Sequence, residues 1–581
     1  MIELPIGVSG WGILRKYKSL YVDKTPFVKV LEESSLKYVT FLRPRKFGKS
    51  LFMSMLHHYY GVEHQAKFDY HFSGTYIGEN PTSFASSYFV LQLGFSGIMT
   101  DSEKMTFDGF LHKVKSGSTH FFRTNPTYFS EKDVQEITKI KTPHEVLTYI
   151  FNRIADLPYN LYILIDEYDH FAHQILAFHH PPSPLQGGAG GWFMDMVGKE
   201  GFVRKFYETI KEAAMDNVVE KVFITGISPV TLDSMTSGFN ITKSLTHKLE
   251  FHDMLGFTKA EVLWILQKIG MPDKEIPKTL RDLTAWYDGY LFHKKAKERL
   301  YNSNMIMYFA EEYASTGEYP SNLLDINIAS DYSKIRLATQ LGNIPIQNNA
   351  VLQTLIEQGE IAAELTEQYS FEKPLKPDDF ISFLYYMGLL TLKKEKKGEM
   401  YFKIPNVVIQ KLYYDFFREI LLFKEKDGDV SNHRQINEAI SLLCYDDMPQ
   451  PIVTQLCLAI HKLSVRDTKD LSESHIKAML ISFLSMGRVY YIKSEYEIDR
   501  KFLDVLLLKR PPFDMPYNVA LELKYLPKSR ESEFETVKAE AIEQVKGYLA
   551  MPELEEYPDL RTYLIVIVGE ECRCLEKIII P

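Results

Sequence analysis

The sequence predicts a multidomain α/β protein, in which two α/β domains flank a helical and winged-helix-like middle. Near-continuous apolar runs alternate with helical stretches in residues 1–250, and strand-like runs return in residues 465–581. Apolar strands separated by helices are typical of a parallel sheet that is covered on both faces. A chain of 581 residues is also longer than a single domain with one hydrophobic core usually is.

The composition excludes a disordered or fibrous chain and gives no overall preference for polyanions. Hydrophobic residues make up 45% of the chain, charged residues make up 25%, and the net charge is −9. The four cysteines form neither a disulfide framework nor a zinc-like spacing, which favours a reducing compartment. No leader-like start or membrane-length apolar run is found, so we expect a cytoplasmic protein without a membrane partner.

Four short apolar runs predict the strands of the first domain. They are LKYVTFL at 36–42, YFVLQL at 88–93, LYILI at 161–165 and KVFIT at 221–225. The segment 179–192, HHPPSPLQGGAGGW, is too rich in proline and glycine for a helix or a central strand, and we expect a surface insertion there.

The rest of the chain divides into three further segments. Thr258 and Glu261 have capping-box spacing at the start of a helical subdomain, residues 251–375, whose helical pattern extends to about Ala363. Residues 376–464 read helix, strand, turn, strand and helix, which predicts a winged-helix-like unit with a helical connector. Residues 465–581 form the second α/β domain.

A phosphate-binding loop is indicated where the first strand ends. Gly48, Lys49 and Ser50 open a helix, and such a lysine and hydroxyl serve the phosphates and Mg²⁺ of a nucleotide. Arg43 stands where the motif usually has its first glycine. The local string is equally compatible with an exposed turn whose serine caps the helix.

Two other strand ends carry polar residues that suit the same site. The strand at 161–165 is followed by Asp166 and Glu167, with Asp169 just beyond, and such acids can hold Mg²⁺ and orient water. Thr225 ends another strand, where a polar side chain can sense a γ-phosphate. The alternative is a solvated loop after a buried strand.

A second constellation lies near the carboxyl terminus. Glu522 and Lys524 are two residues apart in a strand-like run, so they point to the same face, where Asp504 of a neighbouring strand can join them. Carboxylate oxygens suit Mg²⁺ or Mn²⁺, and a lysine can stabilise charge on a phosphate. Gln544 and Tyr548 share one helix face. The pattern also fits solvated surface charges.

A histidine group at positions 170, 173, 179 and 180 is the other metal candidate in the sequence. It borders the proline- and glycine-rich segment and has no cysteine partners, so a surface interpretation is favoured.

The amino-terminal half resembles the bacterial AAA-ATPase-like family. The ordered motifs that carry the resemblance are LPIG at 4–7, YVDKT at 21–25, RPRKFGKS at 43–50, IDEYD at 165–169, TGISP at 225–229, SGFN at 237–240, GFT at 256–258 and WYDGY at 286–290. That family shares the arginine in place of the first glycine. The resemblance implies a P-loop NTPase-like sheet domain.

The same resemblance implies the roles of the residues. ATP is expected at Gly48, Lys49 and Ser50, Mg²⁺ at Ser50 and Asp166, and the attacking water at Glu167. Arg43 and Arg45 are expected either to contact phosphate or to pair with surface acids.

The carboxyl-terminal segment resembles the PD-(D/E)xK nuclease superfamily, which implies a restriction-endonuclease-like domain. The motifs are ESH at 473–475, Glu495, Asp504, ELKY at 522–525 and QVKGY at 544–548. The resemblance implies Asp504, Glu522 and Lys524 as the core triad, Glu473 as an upstream metal-binding acid, and Gln544 and Tyr548 as a supporting pair. A basic groove is not evident, because 17 Lys and Arg stand against 21 Asp and Glu from Val465 onward.

These observations lead to one functional hypothesis. We expect a protein that binds and hydrolyses ATP and whose nucleotide state is coupled to Mg²⁺-dependent cleavage of nucleic acid. DNA is expected as the substrate rather than RNA, and a homo-oligomer is possible. The alternative is an ATPase switch whose nuclease-like domain is inactive and binds nucleic acid or protein.

Overall fold

The structure is a computed structural model. It describes residues 3–178, 196, 201–229, 239–322, 351–352, 354–355, 359–369, 376–422, 430–461, 471–487, 489–498, 501–510, 513–551, 554 and 556–579. One compact unit contains the described residues up to Ala314, those within 351–355 and those from Gly359 to Asn406, and a second unit contains residues 315–322 and the described residues from Val407 onward. The division falls inside the segment 376–464 that the sequence predicts as a connector. The proline- and glycine-rich segment 179–192 lies outside the described residues.

The first unit is built on a five-stranded parallel sheet, with the strand order β2-β3-β4-β1-β5. Its strands are β1 Tyr38–Leu42, β2 Phe89–Gly94, β3 Leu161–Asp166, β4 Val219–Gly226 and β5 Lys243–Ser244. The parallel sheet and the four predicted strands are therefore confirmed. The short β5 was not predicted, since two residues carry no periodic signal.

Helices surround this sheet and continue into the middle of the chain. They are α1 Trp11–Tyr17, α2 Pro26–Glu33, α3 Lys49–Tyr60, α4 Phe68–Phe72, α5 Tyr76–Glu79, α6 Glu103–Thr124, α7 Glu131–Lys139, α8 Pro143–Ile154, α9 His170–Phe178, α10 Phe202–Met215, α11 Lys259–Lys268, α12 Ile276–Tyr287, α13 Ser303–Thr316 and α14 Pro377–Tyr386. Short 3-10 helices span Val62–Lys67 and Leu249–Phe251.

The central strand β3 shows why the sheet is covered on both sides. All five residues from Leu161 to Ile165 are buried. Successive side chains of a strand point to opposite faces, so both faces of β3 are packed. Because the strands are parallel, the ends of β1, β3 and β4 meet at one edge, which brings the phosphate loop, Asp166 and Thr225 together.

The middle of the chain confirms one predicted helix start and corrects another expectation. Thr258 caps α11, with its backbone N–H donating to the Glu261 carboxylate at 2.8 Å and its hydroxyl accepting the Glu261 N–H at 3.3 Å. The helical pattern expected up to Ala363 is wrong at its end, because Glu360–Ala363 is a strand, β6. Its residues pair with a hairpin that lies beyond them in sequence, a long-range contact that local periodicity does not reveal.

The structure contains the helix, strand, turn, strand and helix that the sequence predicts for the winged-helix-like unit. Helix α14 is followed by β7 Thr391–Lys396, a turn, β8 Glu399–Lys403 and α15 Val407–Leu422. Lys397 and Gly398 form the turn with φ values of 54° and 87°, a region that glycine adopts readily. The hairpin joins β6 in a three-stranded sheet of order β6-β8-β7.

The second unit contains a mixed five-stranded sheet of order β13-β12-β11-β10-β9. Only β11 and β12 are parallel neighbours, and the other pairs are antiparallel. Its elements are α15, α16 Val430–Asp446, α17 Gln450–His461, α18 Glu473–Leu484, β9 Tyr490–Ile498, β10 Lys501–Lys509, β11 Asn518–Leu526, α19 Phe534–Leu549, β12 Leu560–Val568 and β13 Glu571–Ile578, with 3-10 turns at Ser485–Gly487 and Lys528–Glu533.

The core of this unit explains the position of its charged residues. Apolar side chains of α16, α17 and α18 pack against one face of the sheet, through residues such as Val505 and Leu523. Asp504 and Glu522 alternate with those residues, so they face the other side of the sheet, where α19 lies against β11. Among the described residues, no helix is long and apolar enough to cross a membrane.

Candidate functional site

The loop between β1 and α3 has the backbone form of an anion-binding loop. Lys46 and Gly48 both have positive φ values, 66° and 96°. Helix α3 begins at Lys49, directly after Gly48, so its free N–H groups face the loop. A residue with a side chain is strained at φ 96°, which accounts for the glycine before Lys49.

Lys49 is folded inward and closes this loop. Its ammonium donates to the carbonyl oxygens of Arg43 at 2.8 Å and Pro44 at 2.9 Å. Burial lowers the pKa of Lys49 to about 8, against the opposing negative charges of Asp166 and Asp169. The ammonium is thus held at the loop by neutral carbonyls, which a phosphate can replace with a stronger, charge-assisted contact.

Ser50 and Asp166 meet across the site. The Ser50 side chain is hydrogen-bonded to the Asp166 carboxylate. Burial raises the pKa of Asp166 above its ordinary value, although the bond from Ser50 opposes this shift. A hydroxyl and a carboxylate in contact at a phosphate loop are hard oxygen donors of the kind that Mg²⁺ prefers. The residues present therefore fit a magnesium ion, and the two predicted ligands are brought together.

Glu167 and Asp169 have different surroundings although they are two residues apart. Glu167 has a positive φ of 51°, and its side chain is 37% exposed, with a carboxylate oxygen 3.4 Å from Nδ1 of His170. Asp169 is 1% exposed and accepts the backbone N–H groups of Ile227 at 2.9 Å and Ser228 at 2.7 Å. Glu167 is accessible to water, whereas Asp169 ties the ends of β3 and β4 together.

Thr225 lies between the phosphate loop and the acids. In the parallel register, Phe41 of β1 is opposite Thr225, and Ile165 of β3 is opposite Ile224. The Thr225 hydroxyl is buried without a hydrogen-bond partner among the described residues. It is therefore placed at the same sheet edge as Asp166, with an unsatisfied polar group.

The two arginines of the loop are in different environments. Arg43 is 1% exposed, and its guanidinium donates to four backbone carbonyls, those of Leu42, Thr246, Phe251 and His252, at 2.9 to 3.2 Å. The rings of Phe41 and Phe292 lie 4.2 and 4.0 Å from it. The contacts that the structure gives Arg43 are thus with carbonyls and rings rather than with surface acids, and its contact with phosphate stays a prediction. Arg45 is partly exposed, and its charge lowers the pKa of Lys49, so it stays a phosphate candidate.

The carboxyl-terminal residues converge on Lys524. Its ammonium lies 2.9 Å from Glu522, 3.7 Å from Glu473 and 4.0 Å from Asp504. Strands β10 and β11 are antiparallel with Val505 opposite Leu521, which places Asp504 beside Glu522. Burial lowers the pKa of Lys524, but the three carboxylates outweigh it and raise the pKa above its ordinary value. Lys524 is thus a firmly protonated cation.

Glu522 is a buried acid in an electrostatically unfavourable position. It is fully buried, and burial together with the negative charge of Asp504 raises the pKa of Glu522 to about 7, although Lys524 opposes the shift. Its second oxygen, Oε2, is buried without a hydrogen-bond partner among the described residues. A buried carboxylate oxygen with no donor, beside a second carboxylate, fits a divalent cation such as Mg²⁺ or Mn²⁺.

Helix α18 supplies two further charges, of which sequence analysis identified one. Glu473 accepts the backbone N–H of Tyr525 at 3.0 Å, and burial raises its pKa. Lys477, one turn later, lies 3.3 Å from Asp504, and the backbone N–H of Leu523 donates to the other oxygen of Asp504 at 2.9 Å. The spacing of four residues from Glu473 was the signal that could have identified Lys477.

Helix α19 contributes the predicted pair. The amide of Gln544 donates to the Tyr548 hydroxyl. Burial raises the pKa of Tyr548, and the charge of Glu522 raises it further, which places the phenol close to the acids. The structure therefore assembles Glu473, Asp504, Glu522, Lys524 and the Gln544–Tyr548 pair in one place.

Two family models match this chain. Residues 5–236 match the AAA-ATPase-like family, described as a predicted AAA-ATPase, and residues 471–577 match the PD-(D/E)XK nuclease superfamily. Both resemblances expected from the motifs are confirmed. The chain thus has a P-loop-like parallel-sheet domain, a helical middle and a mixed-sheet domain that matches the nuclease superfamily.

Individual relatives add little about function. An "Uncharacterized protein in vnfD 5'region" from Azotobacter chroococcum mcd 1 is 25% identical over 298 residues, which are 50% of this chain and 48% of the relative. The chain therefore spans about half the length of that curated relative. The solved structure of Cdc6p from Pyrobaculum aerophilum has 11% identity and a TM-score of 0.25, with 65% of this chain and 88% of that chain covered. A score this low does not establish a common fold.

Proposed function

We propose that the chain binds and hydrolyses ATP in its first unit, and that the nucleotide state controls Mg²⁺-dependent phosphodiester cleavage in its carboxyl-terminal domain. The observation that carries the proposal is the assembly of Asp504, Glu522 and Lys524, with a buried carboxylate oxygen that lacks a donor. Supporting it, Lys49 and the Ser50–Asp166 contact occupy one end of a parallel sheet.

In the ATP site, each residue has a role that follows from its position. Lys49 and the N–H groups at the start of α3 hold the phosphates, and Ser50 with Asp166 holds Mg²⁺, which neutralises phosphate charge. Glu167 orients the attacking water, because its carboxylate is accessible whereas that of Asp169 is engaged by Ile227 and Ser228. Thr225 offers its unpaired hydroxyl near the γ-phosphate position. Arg45 is proposed to add positive charge.

In the carboxyl-terminal site, Asp504 and Glu522 hold the divalent cation, with Glu473 nearby. The metal supplies Lewis acidity at the scissile phosphate and lowers the pKa of bound water. Lys524, which stays protonated, cannot act as a base; it donates hydrogen bonds that orient water and offset negative charge on the phosphate. Lys477 fixes Asp504, and the Gln544–Tyr548 pair contributes hydrogen-bonding groups near Glu522.

The substrate that we propose is nucleic acid, DNA rather than RNA. We also propose that the four segments identified in the sequence are the functional domains of the protein. The four cysteines are free, which is in keeping with a reducing, cytoplasmic setting in a bacterial cell, and a homo-oligomer is compatible with the proposal.

The second candidate is an ATPase switch with an inactive nuclease-like domain that binds nucleic acid or protein. The excess of acidic residues from Val465 onward favours it, because it weakens the case for a basic DNA groove.

Coupling between the two activities is tested by comparing the parent with Lys49→Ala. Phosphate release and DNA cleavage are followed together, with Mg²⁺ and with or without ATP. Cleavage that changes with ATP in the parent but not in Lys49→Ala supports coupling. ATP hydrolysis and DNA binding without any cleavage would support the switch alternative instead.

A further inference from the structure

A histidine cluster lies at the far end of α3, away from the phosphate loop. Four of the 17 histidines fall between His57 and His71, on the last turn of α3, the following 3-10 helix and α4. The metal-binding atoms of His58, His64 and His71 all lie within 4.8 Å of one another, and so do those of His57, Glu63 and His64. The two groups share His64.

The hydrogen bonds of the cluster fix which nitrogen can bind a cation. Nδ1 of His58 lies 2.7 Å from the carbonyl oxygen of Ser54, which can only accept, so this nitrogen carries the proton and Nε2 presents a lone pair. Such a bond from the second ring nitrogen to a backbone carbonyl is the usual support for a metal-binding histidine. Nδ1 of His71 is buried without a hydrogen-bond partner among the described residues.

Glu63 supplies negative charge that the protein does not fully satisfy. Its side chain is 4% exposed, and one oxygen lies 2.7 Å from Nε2 of His57, whose Nδ1 is 3.0 Å from the amide oxygen of Gln92. Its other oxygen, Oε2, is buried without a hydrogen-bond partner among the described residues. A buried, half-paired carboxylate beside several imidazoles is costly unless a cation is shared among them.

A neutral imidazole is the form that binds metals, and the hydrogen bond from Nδ1 of His58 leaves its Nε2 in that form. The cluster also sits at the carboxyl end of α3, where the helix dipole favours a positive charge.

We infer that His58, His64 and His71 bind a divalent transition-metal ion, with Glu63 as the adjacent counter-charge. Three imidazoles leave a fourth position for water or carboxylate, a set that suits Zn²⁺. The ion links the end of α3 to the following 3-10 helix and α4, so its role is structural. The inference is independent of ATP and nuclease chemistry, because none of its residues belongs to either site.

Cobalt binding to the purified full-length chain, without nucleotide or Mg²⁺, tests the inference. After removal of metals with a chelator, Co²⁺ is titrated while the visible absorption of tetrahedral cobalt is followed, and Zn²⁺ is then added as a competitor. We expect one tetrahedral Co²⁺ site per chain, whose visible absorption is lost when Zn²⁺ displaces the ion, and a higher melting temperature with metal. Absence of the cobalt absorption in the parent would overturn the inference.

Three variants assign the ligands. His58→Asn and His64→Asn should each weaken Co²⁺ binding more than about 10-fold. His112→Asn, at an exposed position of α6, is the matched control and should bind like the parent. Melting curves in chelator show whether each variant is folded. Folded His58→Asn and His64→Asn proteins that bind Co²⁺ as tightly as the parent would contradict the assignment.

Discussion

The ammonium of Lys524 lies 2.9 Å from the carboxylate of Glu522, yet the pKa of that carboxylate is raised to about 7. Burial and the charge of Asp504 outweigh the lysine. The contact with Lys524 therefore does not fully neutralise the negative charges of Glu522 and Asp504. A divalent metal ion bound between these carboxylates would neutralise them.

The first prediction concerns the pH dependence of metal binding. The raised pKa means that Glu522 binds a proton below about pH 7, and a metal must displace that proton. Mn²⁺ affinity, measured without nucleotide, should therefore rise between about pH 6 and about pH 8. The Glu522→Gln protein is the control, and its remaining Mn²⁺ binding should lack this rise. A parent and a control with the same pH profile would remove Glu522 from the metal site.

The second prediction is that Lys49→Ala abolishes ATP binding while the protein stays folded. The change removes the ammonium that the loop carbonyls of Arg43 and Pro44 hold at the phosphate position. Lys37→Ala, at an exposed position before β1, is the matched control and should bind ATP normally. Binding is measured by titration with a fluorescent ATP analogue. Parent-like affinity in folded Lys49→Ala would exclude this role for the lysine.

The third prediction separates Glu167 from Asp169. Glu167→Gln should bind ATP but release almost no phosphate, because it removes the accessible carboxylate. Asp169→Asn should instead lower the melting temperature, since Asp169 accepts the N–H groups of Ile227 and Ser228 in the core. Parent-like turnover in Glu167→Gln would transfer the water-activating role to another residue.

The fourth prediction contrasts the two loop arginines. Arg43→Ala leaves four buried carbonyls without their donor, so the free energy of unfolding of the first unit should fall by about 3 kcal/mol or more. Arg45→Ala should leave stability nearly unchanged and weaken ATP binding instead. Denaturant unfolding and ATP titration of both proteins check this. Equal stability of the two variants would contradict the structural role of Arg43.

The sequence was sufficient to predict the features that depend on local pattern. Strands β1 to β4, the Thr258–Glu261 cap and the face shared by Glu522 and Lys524 all follow from periodicity and spacing. It could not predict features that depend on distant contacts. Strand β6 exists because it pairs with β8, and the carbonyls that Arg43 contacts between Thr246 and His252 are distant from it in sequence.

The histidines show the same limit in another form. Those at 58, 64 and 71 are close in sequence, but only the fold of α3, the 3-10 helix and α4 brings their metal-binding nitrogens within 4.8 Å of one another. The histidine group that the sequence offered as a metal candidate was the one at 170, 173, 179 and 180, for which a surface interpretation was favoured and of which two lie outside the described residues. The order of the motifs could therefore be recognised from the sequence alone. Which charged and metal-binding side chains lie close together could be seen only in the folded structure.

The most direct test of the central claim is cleavage by the parent and by Asp504→Ala. Linear, nicked and single-stranded DNA and RNA are incubated with Mg²⁺, Mn²⁺ or Ca²⁺, with and without ATP. We predict cleavage of DNA by the parent with Mg²⁺ or Mn²⁺, none with Ca²⁺, and none by Asp504→Ala, which lacks a metal ligand. Equal cleavage by both proteins, or no cleavage by the parent on any substrate, would contradict the account.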